Sequence, residues 1–373
     1  MRSLLAISLL ASSASAQSIP ETLTGGPTAE ETDDLFSWEN LLYRQDDRGG
    51  NPNLDEDASI YETIILVDNR LTETDTLHLR ALIDVISAAS YDAVQNSAEN
   101  TGATGINPGR LGTEIGWTRD LGPWSWNLHT SFDQELYYRA FGVGGSVARS
   151  MFEDNTQVSL NLQTYQDLIR TVRFDGTVEP DEDRDTFTAE LGVDQILSPV
   201  SRLNVSATVT QQEGLLSTSF NSVLLNGSPA IEVLPRERER VALATRYKHA
   251  LFDDEAIEVG YRYYDDDWGI QAHTVELRYF THAGERLLVE PNYRYYDQTG
   301  ADYFATAFTG MPAFLTSDSD LGDFTGHLFG VDLTFLDRRW WGRVGDLGLG
   351  ANYYDRSDGL DLFWITFGWS FRF

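Results

Sequence analysis

The chain ends with FWITFGWSFRF (residues 363–373), and the pattern of this stretch decides the fold. Every second residue is large and apolar: Phe363, Ile365, Phe367, Trp369, Phe371 and Phe373. The residues between them are mostly small or polar, so the segment has the period of two that is typical of a β-strand with two different faces. Chain ends usually fray, yet here one face stays apolar up to the last residue. We therefore expect a sheet that is apolar on its outer surface.

The N-terminus has the layout of a secretory signal peptide. Arg2 precedes an apolar run over residues 4–10, and the small residues Ala14-Ser15-Ala16 form a cleavage site before Gln17. The run is too short to span a membrane. The sequence thus predicts a signal peptide at 1–16, a disordered, acidic periplasmic lead at 17–35, and a folded domain at 36–373.

The composition excludes several classes of protein. The 373 residues include 58 acidic and 27 basic side chains, for a formal net charge of -31, whereas nucleic-acid binding needs a basic surface. Because the chain has no cysteine, neither a disulfide framework nor thiolate chemistry is open to it. No run of about 18 apolar residues occurs, which excludes a membrane-spanning helix in the mature chain. A barrel whose strands face lipid on one side and a polar interior on the other fits this composition.

Strand-like stretches of membrane-spanning length recur along the chain. We predict about sixteen strands, near residues 36–45, 58–69, 75–88, 110–120, 122–133, 135–150, 155–170, 185–197, 201–215, 236–250, 255–266, 268–282, 285–297, 326–337, 345–356 and 361–373. If Phe373 ends in the periplasm, all the long links, at 46–57, 89–109, 171–184, 216–235 and 298–325, fall on the opposite side. This asymmetry and an even number of strands are typical of outer-membrane barrels.

The sequence therefore predicts an all-β fold. It is a transmembrane, antiparallel outer-membrane β-barrel of about 16 strands from a Gram-negative bacterium, with short periplasmic turns and long extracellular loops. Phe371 and Phe373, at the end of the alternating strand, would be the signal that the outer-membrane barrel assembly machinery reads. The alternative is a secreted, soluble β-sandwich that happens to end in Phe.

Several stretches resemble the recurring segments of a family of Gram-negative outer-membrane barrels, domain of unknown function 3570. They are YRYYDDDWGIQAHT (261–274), EPNYRYYDQTGADYF (290–304), EVLPRERER (232–240) and QILSPVSRLNVS (195–206). The resemblance extends from the strand at 58–69 to the end, although Ser87-Ala88-Ala89 stands where the family usually has a serine-glycine pair. It implies an outer-membrane barrel, and it implies no reaction and no cofactor. It leaves open a small periplasmic or lipoprotein partner and a flavin-linked, extracytosolic redox system.

The polar face of the later strands carries charges of both signs. By parity, this inward wall contains Arg240, Arg246, Lys248, Glu258, Arg262, Glu276, Arg278, Glu290 and Arg294. Cations and carboxylates on neighbouring strands can pair across a sheet, and buried charges need such partners. One interpretation is therefore a lattice of ion pairs that fills and stiffens the barrel. The other is a selective basic ladder along a water-filled channel.

Aromatic residues mark the two membrane interfaces that a barrel has. Trp340 and Trp341 lie in a predicted periplasmic turn, which places them in the inner girdle. The predicted outer girdle contains Tyr261, Tyr263, Tyr293 and Tyr295. The expected surroundings are outer-membrane lipid and lipopolysaccharide.

Catalytic and metal-binding patterns are weak. The six histidines are scattered over different strands, and no HExxH motif, nucleophile elbow or phosphate-binding loop occurs in a usable context. Acidic loops such as Asp46-Asp47 and residues 179–185 suit Ca2+ as a hard cation, but their spacing matches no EF-hand, and solvated loops are the simpler interpretation. We expect no catalytic residue, no metal site and no cofactor, and hence no enzyme.

The expected role is a non-enzymatic transport, export or assembly component with a charged lumen. A general or substrate-selective diffusion porin is the first alternative. The outer-membrane component of a flavin-linked redox system is the second.

Overall fold

The computed structural model describes residues 34–49, 56–88, 109–173, 175–217, 219, 221–340 and 342–373. The predicted signal peptide, the lead up to residue 33 and Trp341 lie outside the described residues. Within these ranges, no helix is long and apolar enough to cross a membrane.

The described residues form a closed, antiparallel barrel of 16 strands. The barrel strands are β1 (Leu35–Asp47), β2 (Ala58–Arg70), β3 (Asp75–Ala88), β4 (Leu111–Leu121), β5 (Trp124–Gln134), β6 (Tyr138–Met151), β7 (Thr156–Val172), β8 (Val178–Ser198), β9 (Ser201–Gly214), β12 (Glu237–Phe252), β13 (Glu255–Asp266), β14 (Gln271–His282), β15 (Leu287–Gln298), β16 (Phe324–Trp340), β17 (Arg343–Arg356) and β18 (Leu360–Arg372). A separate hairpin, β10 (Ser222–Leu225) and β11 (Ser228–Ile231), lies in the link between β9 and β12. Pairing of β1 with β18 closes the ring. The predicted fold is confirmed, and apart from the start of β8 every predicted strand end lies within three residues of the observed one.

The links at the two ends of the barrel differ in length. At the end that holds both chain termini, two to four residues join consecutive strands. The strand ends that the long links join, those before and after residues 48–57, 89–110, 215–236 and 299–323, all lie at the other end. The predicted long loop at 171–184 is wrong, because β7 and β8 continue as a paired hairpin through most of it. An ion pair between Arg170 Nε and Asp181 Oδ1 (2.6 Å) helps to hold this extension together.

The barrel presents apolar side chains outwards, and its inner face is mostly polar apart from an apolar cluster beside the seam, formed by Leu41, Tyr43, Ile60, Leu360 and Leu362. Leu128, Leu243 and Phe329, on three different strands, expose 60%, 52% and 56% of their surface. On the inner face, Glu62 and Asp84 are only 4% and 1% exposed. Because a closed ring leaves no unpaired strand edge, an apolar exterior of this kind suits the hydrocarbon interior of a membrane.

An aromatic cluster covers the outer side of the seam between β1 and β18. Trp369 is 2% exposed, with the Trp340 and Phe371 rings 5.3 Å and 4.7 Å from its own. Trp340 is the last residue of β16, so it lies on the outer face at the end that holds both termini. The terminal residue is also fixed, since the Phe373 N–H donates to the Asp34 carbonyl over 2.9 Å. The seam is therefore paired and packed up to the C-terminus.

We predict that the long links are extracellular, which site-directed labelling can check. A cysteine at Met311, which is 81% exposed in the 299–323 link, should react with a membrane-impermeant maleimide in intact cells. A cysteine at Phe152, which is 75% exposed at the opposite end, should react only after the outer membrane is permeabilised. The natural chain has no cysteine, so background labelling is absent. Labelling of the second variant alone would invert the topology.

Candidate functional site

The lumen wall predicted from parity lies on one face of β12 to β15. Cross-strand register places Lys248 opposite Glu258, and Glu276 opposite Arg294. The alternate residues of the same strands, such as Leu243, are the exposed apolar ones, so the charged face points inwards. The other predicted members on this face are Arg240, Arg246, Arg262, Arg278 and Glu290.

Part of this wall is paired. Arg246 Nε lies 3.2 Å from the Glu258 carboxylate, and Arg246 Nη2 lies 3.5 Å from Glu276. Arg294 Nη2 lies 2.6 Å from the same Glu276. Glu276 thus links three strands through two guanidinium groups. This region has the geometry of the ion-pair lattice.

Towards the end that holds the termini, the wall charges share partners. Lys248 and Arg278 face the same residue, Glu258, from the strands on either side of it. The Lys248 ammonium also lies 4.2 Å from the Phe280 ring, a cation–π distance. Glu290 faces a second carboxylate across the sheet, that of Asp332 in β16.

Arg262 differs from the paired arginines. It is exposed although it lies on the inward face of a closed barrel. Among the residues that the structure describes, no carboxylate lies within ion-pair distance of it, and its cross-strand neighbours, Ala244 and Thr274, are uncharged. Its guanidinium lies 5.4 Å from the centre of the Tyr264 ring. Exposure at this position means that water-sized space exists inside the barrel at this depth.

Arg240 also has no carboxylate of its own. Asp266 lies opposite it in register, but that carboxylate is engaged by Arg238 Nη2 at 2.5 Å, by the Tyr264 hydroxyl at 2.8 Å and by two backbone N–H groups. Arg240 Nη2 donates to Gln212 Oε1 over 2.5 Å. Its Nε has no hydrogen-bond partner within the described part of the chain.

The opposite side of the lumen is acidic. Strands β1 to β8 carry the inward carboxylates Glu39, Glu62, Asp84, Glu114, Asp133, Asp167 and Glu190, three of which are at most 4% exposed. Arg110 and Arg184 neutralise part of this charge, at 2.7 Å from Asp133 and 2.5 Å from Asp167. At the outer rim, burial raises the pKa of Glu135 to about 7 against the opposing effect of Arg110, so this carboxyl is partly neutral near pH 7. The lumen thus has an acidic arc that faces a basic arc.

Two long links meet at the end of the barrel that lies away from the termini. We call this structure, residues 215–236 and 299–323, the mouth span. The N–H groups of Val233 and Leu315 donate to each other's carbonyl oxygens (3.0 and 2.9 Å), and the Phe308 N–H donates to the Leu224 carbonyl (2.7 Å). Leu315 is 1% exposed. The mouth span therefore has backbone pairing and a buried interior of its own.

The mouth span is attached at opposite sides of the barrel. On one side, the Val172 N–H of β7 donates to Ser219 Oγ over 3.1 Å. On the other side, Arg356 of β17 donates to Asp320 Oδ1 (2.6 Å) and to the Ser319 carbonyl (3.1 Å). β7 and β17 are eight strands apart in the ring of 16, so they stand diametrically opposite each other. The mouth span therefore reaches from one side of the rim to the opposite side.

A small apolar core holds the mouth span down on the barrel. Trp268 and Ile270, between β13 and β14, are each 3% exposed and pack with Leu234 and Leu321 of the span. The Arg238 guanidinium lies 4.2 Å from the Trp268 ring. Since burial of one such aliphatic side chain stabilises a fold by about 1.5–3 kcal/mol, packing adds to the hydrogen bonds at the two anchors.

Sequence reasoning predicted loops here and missed their structure, although one signal was present. Asn226-Gly227 lies between apolar residues, and this dipeptide is the strongest short indicator of a β-hairpin. Both residues have a positive φ (50° and 81°), as a two-residue turn between β10 and β11 requires. The pairing of the two links left no such signal, because the residues that meet, such as Glu232 and Thr316, are 84 positions apart.

The tyrosines predicted for the outer girdle occur in two copies of one unit. The sequence YRYYD starts at Tyr261 in β13 and again at Tyr293 in β15. In each copy the first tyrosine bonds a histidine of the next strand: Tyr261 Oη lies 2.7 Å from His273 Nδ1, and Tyr293 Oη lies 2.9 Å from His327 Nδ1. The second outward tyrosine lies 5.3 Å from the same histidine ring in both copies. These groups lie on the outer face, in the part of each strand nearer the mouth.

No metal or catalytic constellation emerges from the described residues. Within the described ranges, no group of three or more His, Cys, Asp or Glu is placed to hold a metal ion. The inward histidines belong to hydrogen-bond networks, with His78 2.7 Å from Asp68 and His129 2.5 Å from Gln163. In one of the acidic loops, the Asp320 carboxylate accepts a hydrogen bond from the Arg356 guanidinium. For the other acidic loops, the interpretation as solvated loops without Ca2+ stays a prediction.

No curated protein matches the sequence significantly. Solved structures of similar fold include a bacterial polysaccharide outer membrane secretin (10% identity, 91% of this chain and 98% of that chain covered, TM-score 0.49). A BenF-like porin from Pseudomonas fluorescens Pf-5 is another (8% identity, 92% of this chain and 99% of that chain covered, TM-score 0.48). OpdQ from Pseudomonas aeruginosa is a third (9% identity, 92% of this chain and 99% of that chain covered, TM-score 0.44). What the barrel carries has to be argued from its own residues. Residues 3–359 match a family model, which confirms the resemblance, and the chain therefore belongs to the family described as "Protein of unknown function (DUF3570)".

Proposed function

We propose that the protein is a non-enzymatic channel of the Gram-negative outer membrane, through which small polar solutes pass along a charged lumen that the mouth span narrows. The exposure of Arg262 on the inward face of a closed barrel carries this proposal. A charge that faces water inside a closed wall requires a water-filled space. Such a space inside a barrel is a path for ions and polar solutes.

The two charged arcs support passage of polar rather than apolar solutes. Charges of opposite sign on facing walls create a field across the lumen, and this field favours solutes that carry charge or a large dipole. The wall residues Arg246, Glu258 and Glu276 are held by their ion pairs, so the field has a fixed direction. An apolar solute gains nothing from such a lining.

The outer surface supports the membrane placement. An arginine that faces lipid at the centre of a barrel costs roughly 2–4 kcal/mol, and the nine wall charges all lie on the inner face. We propose outer-membrane lipid and lipopolysaccharide as the surroundings of the apolar exterior and the aromatic girdles. Phe371 and Phe373 end the strand that closes the ring, and we propose that the assembly machinery recognises them there.

Conductance in planar bilayers tests this function. We expect the purified protein to give stepwise ion currents, and Arg262→Gln to shift the ion selectivity towards cations because a positive charge in the lumen is lost. The melting temperature should barely change, because Arg262 forms no ion pair with any described residue.

Arg246→Gln is the matched control. It removes the same charge from the same wall, but it also breaks contacts with Glu258 and Glu276. The loss of stability should fall between the roughly 0–1 kcal/mol of exposed pairs and the roughly 3–5 kcal/mol of broken buried pairs. Absence of ion currents would contradict the proposed function. The same ion selectivity in the natural protein and in Arg262→Gln would also contradict it.

A non-conducting export or assembly component is the second candidate. The mouth span favours it, because a structure that is anchored on opposite sides of the rim also fits a barrel that is closed until a partner acts. A small periplasmic or lipoprotein partner would belong to this candidate. Absence of conductance in the natural protein together with a current after removal of the span would favour it. No group among the described residues supports the flavin-linked alternative.

A further inference from the structure

An apolar groove on the outer face of the barrel, over β6, ends beside an exposed arginine. We propose that this groove holds one phospholipid of the periplasmic leaflet, with an acyl chain in the groove and the lipid phosphate on Arg149. The inference does not depend on conduction. It also goes beyond the general contact with membrane lipid proposed above, because it assigns a particular binding site to one lipid molecule.

The groove exists because β6 has no side chain at the centre of a wall of large ones. Gly145 is an outward position of β6, and cross-strand register places Leu128 and Leu162 on either side of it. A Cβ atom on Gly145 would lie 2.9 Å from Leu128 Cδ2 and 2.8 Å from the Asn127 carbonyl oxygen, so the close approach of the strands requires glycine here. The groove has a volume of about 750 Å³. Further residues of its lining are Trp117, Trp126, Val147, Leu160 and Phe187.

The groove is open towards the surroundings of the barrel. Leu128, Trp126 and Leu162 expose 60%, 46% and 44% of their surface. A depression that stays empty forfeits the dispersion contacts of the atoms that line it. A flexible acyl chain can follow the shape of this depression and restore those contacts, whereas a polar solute would find few hydrogen-bond partners in an apolar lining.

Arg149 provides a positive charge at one end of the groove. It is exposed on the outward face, and its guanidinium lies 4.9 Å from the Trp124 ring, which stacks on Trp126 (6.1 Å, 25°). Among the residues that the structure describes, no carboxylate lies within ion-pair distance of Arg149. The nearby Arg119 differs, since its Nε lies 3.5 Å from Asp75. Because a guanidinium presents paired N–H donors that match phosphate oxygens, a lipid phosphate is the partner that Arg149 lacks.

The length of the groove fits one leaflet. Arg149 lies two residues before the end of β6, at the end of the barrel that holds both termini, and six positions separate it from Val143 in the lining. Six positions correspond to about 20 Å of strand. At the tilt of about 45° that is typical of barrel strands, this length covers about 14 Å of depth, or about half of the roughly 30 Å hydrocarbon layer. The termini of such barrels lie in the periplasm, so the leaflet concerned is the one that consists of phospholipid rather than lipopolysaccharide.

Native mass spectrometry of the full-length protein in detergent micelles tests the site without requiring ion conduction. Dioleoyl phosphatidylglycerol, added at a fixed ratio to protein, is the probe. Dioleoylglycerol has the same chains without the phosphate, and glycerol phosphate has the phosphate without the chains. We expect one molecule of the probe to stay bound, and the other two compounds to bind at least ten-fold more weakly.

Two variants separate the phosphate contact from the groove. Arg149→Gln removes the guanidinium and should weaken binding of the probe at least ten-fold. Arg149→Lys, which keeps the charge and loses the paired donors, should weaken it by a smaller factor. Val147→Trp places a large side chain in the groove between Gly145 and Arg149, and it should weaken binding at least ten-fold although the charge is intact.

The matched controls lie on β16, which is eight strands away from β6 in the ring of 16. Arg338→Gln removes an exposed arginine at the same end of the barrel, where its guanidinium lies 5.6 Å from the Phe335 ring. Val331→Trp enlarges an outward side chain in the same way as Val147→Trp. Both controls should bind the probe like the natural protein. Heat-modifiable migration shows that each variant is folded, and Arg149→Lys replaces Arg149→Gln if the latter does not fold.

Binding of the probe by Arg149→Gln or by Val147→Trp at the level of the natural protein would overturn the proposal. Binding of dioleoylglycerol as tight as that of the probe would do so as well, because the phosphate would then contribute nothing. Ion currents without bound lipid refute the lipid site alone, whereas a bound lipid without ion currents refutes the channel and leaves the lipid site standing.

Discussion

Arg356→Gln is expected to raise the single-channel conductance several-fold. Arg356 is 8% exposed, its guanidinium donates to Asp320, Asp358 and the Ser319 carbonyl, and it lies 3.8 Å from the Phe324 ring. Without the cation, two partly exposed carboxylates lose their partner, so the loss in free energy of unfolding should exceed the roughly 0–1 kcal/mol of an exposed pair and stay below the roughly 3–5 kcal/mol of a buried one. The contact that is weakened is the anchor between the mouth span and β17. Once this anchor is released, the span keeps its apolar core on Trp268 and Ile270 but loses its ion pair to β17, and we expect the opening to widen on that side.

Single-channel recording measures this effect, and Arg170→Gln is its control. Arg170 forms an ion pair of the same length, 2.6 Å, with Asp181, but the arginine side chain is 44% exposed and the pair lies outside the mouth span. Exposed pairs contribute about 0–1 kcal/mol, so this variant should conduct like the natural protein. If Arg356→Gln leaves the conductance unchanged while the protein stays folded, the mouth span does not narrow the opening.

Replacement of both Phe371 and Phe373 by alanine is expected to reduce the assembled, heat-modifiable fraction at least ten-fold. The Phe371 ring lies 5.2 Å from Phe36 across the seam, and the Arg343 guanidinium lies 5.6 Å and 5.8 Å from the two phenylalanine rings. Loss of a well-packed phenylalanine costs about 3–5 kcal/mol, and Phe373, which is 46% exposed, contributes less. The loss falls on the strand pair that must form last, because β1 can meet β18 only when the whole chain is present.

Gel mobility with and without heating measures the assembled fraction in isolated outer membranes. Phe252→Ala removes the same side chain from the same end of the barrel, where it is 72% exposed at the end of β12, away from the seam. This control should assemble normally. Normal assembly of the double variant as well would contradict a role of the terminal aromatic residues in closing the ring.

The strands could be predicted because each residue of a barrel strand faces either lipid or the lumen, so apolar and polar side chains tend to alternate. In β13, the predicted bounds 255–266 are the observed ones, since large apolar residues recur at every second position from Ile257 to Tyr263. The start of β8 was missed for a related reason. Residues 178–184 are rich in charge and contain Pro180, and a hairpin that extends past the membrane has no lipid-facing side to create alternation.

Parity also predicted which charges share a face, but it could not predict their partners. Arg246 reaches both Glu258 on the neighbouring strand and Glu276 one strand further away, whereas Arg262, on an adjacent strand, reaches no carboxylate of the described residues. Long side chains on a sheet have several neighbours within reach, and the choice depends on how the space between them is filled. The mouth span lay beyond prediction because it depends on contacts between distant links, which follow no period.

The two YRYYD copies occupy equivalent places in successive hairpins, β13–β14 and β15–β16. A hairpin is the smallest piece that can be added to such a barrel or removed from it, because it preserves the alternation of faces and keeps both termini at one end. The same tyrosine–histidine contact thus stands at the same place in two neighbouring hairpins of the wall. Evolution can thus adjust the circumference of the barrel in steps of two strands while the closing seam stays the same. Relatives with one copy more or fewer would have a wider or narrower bore.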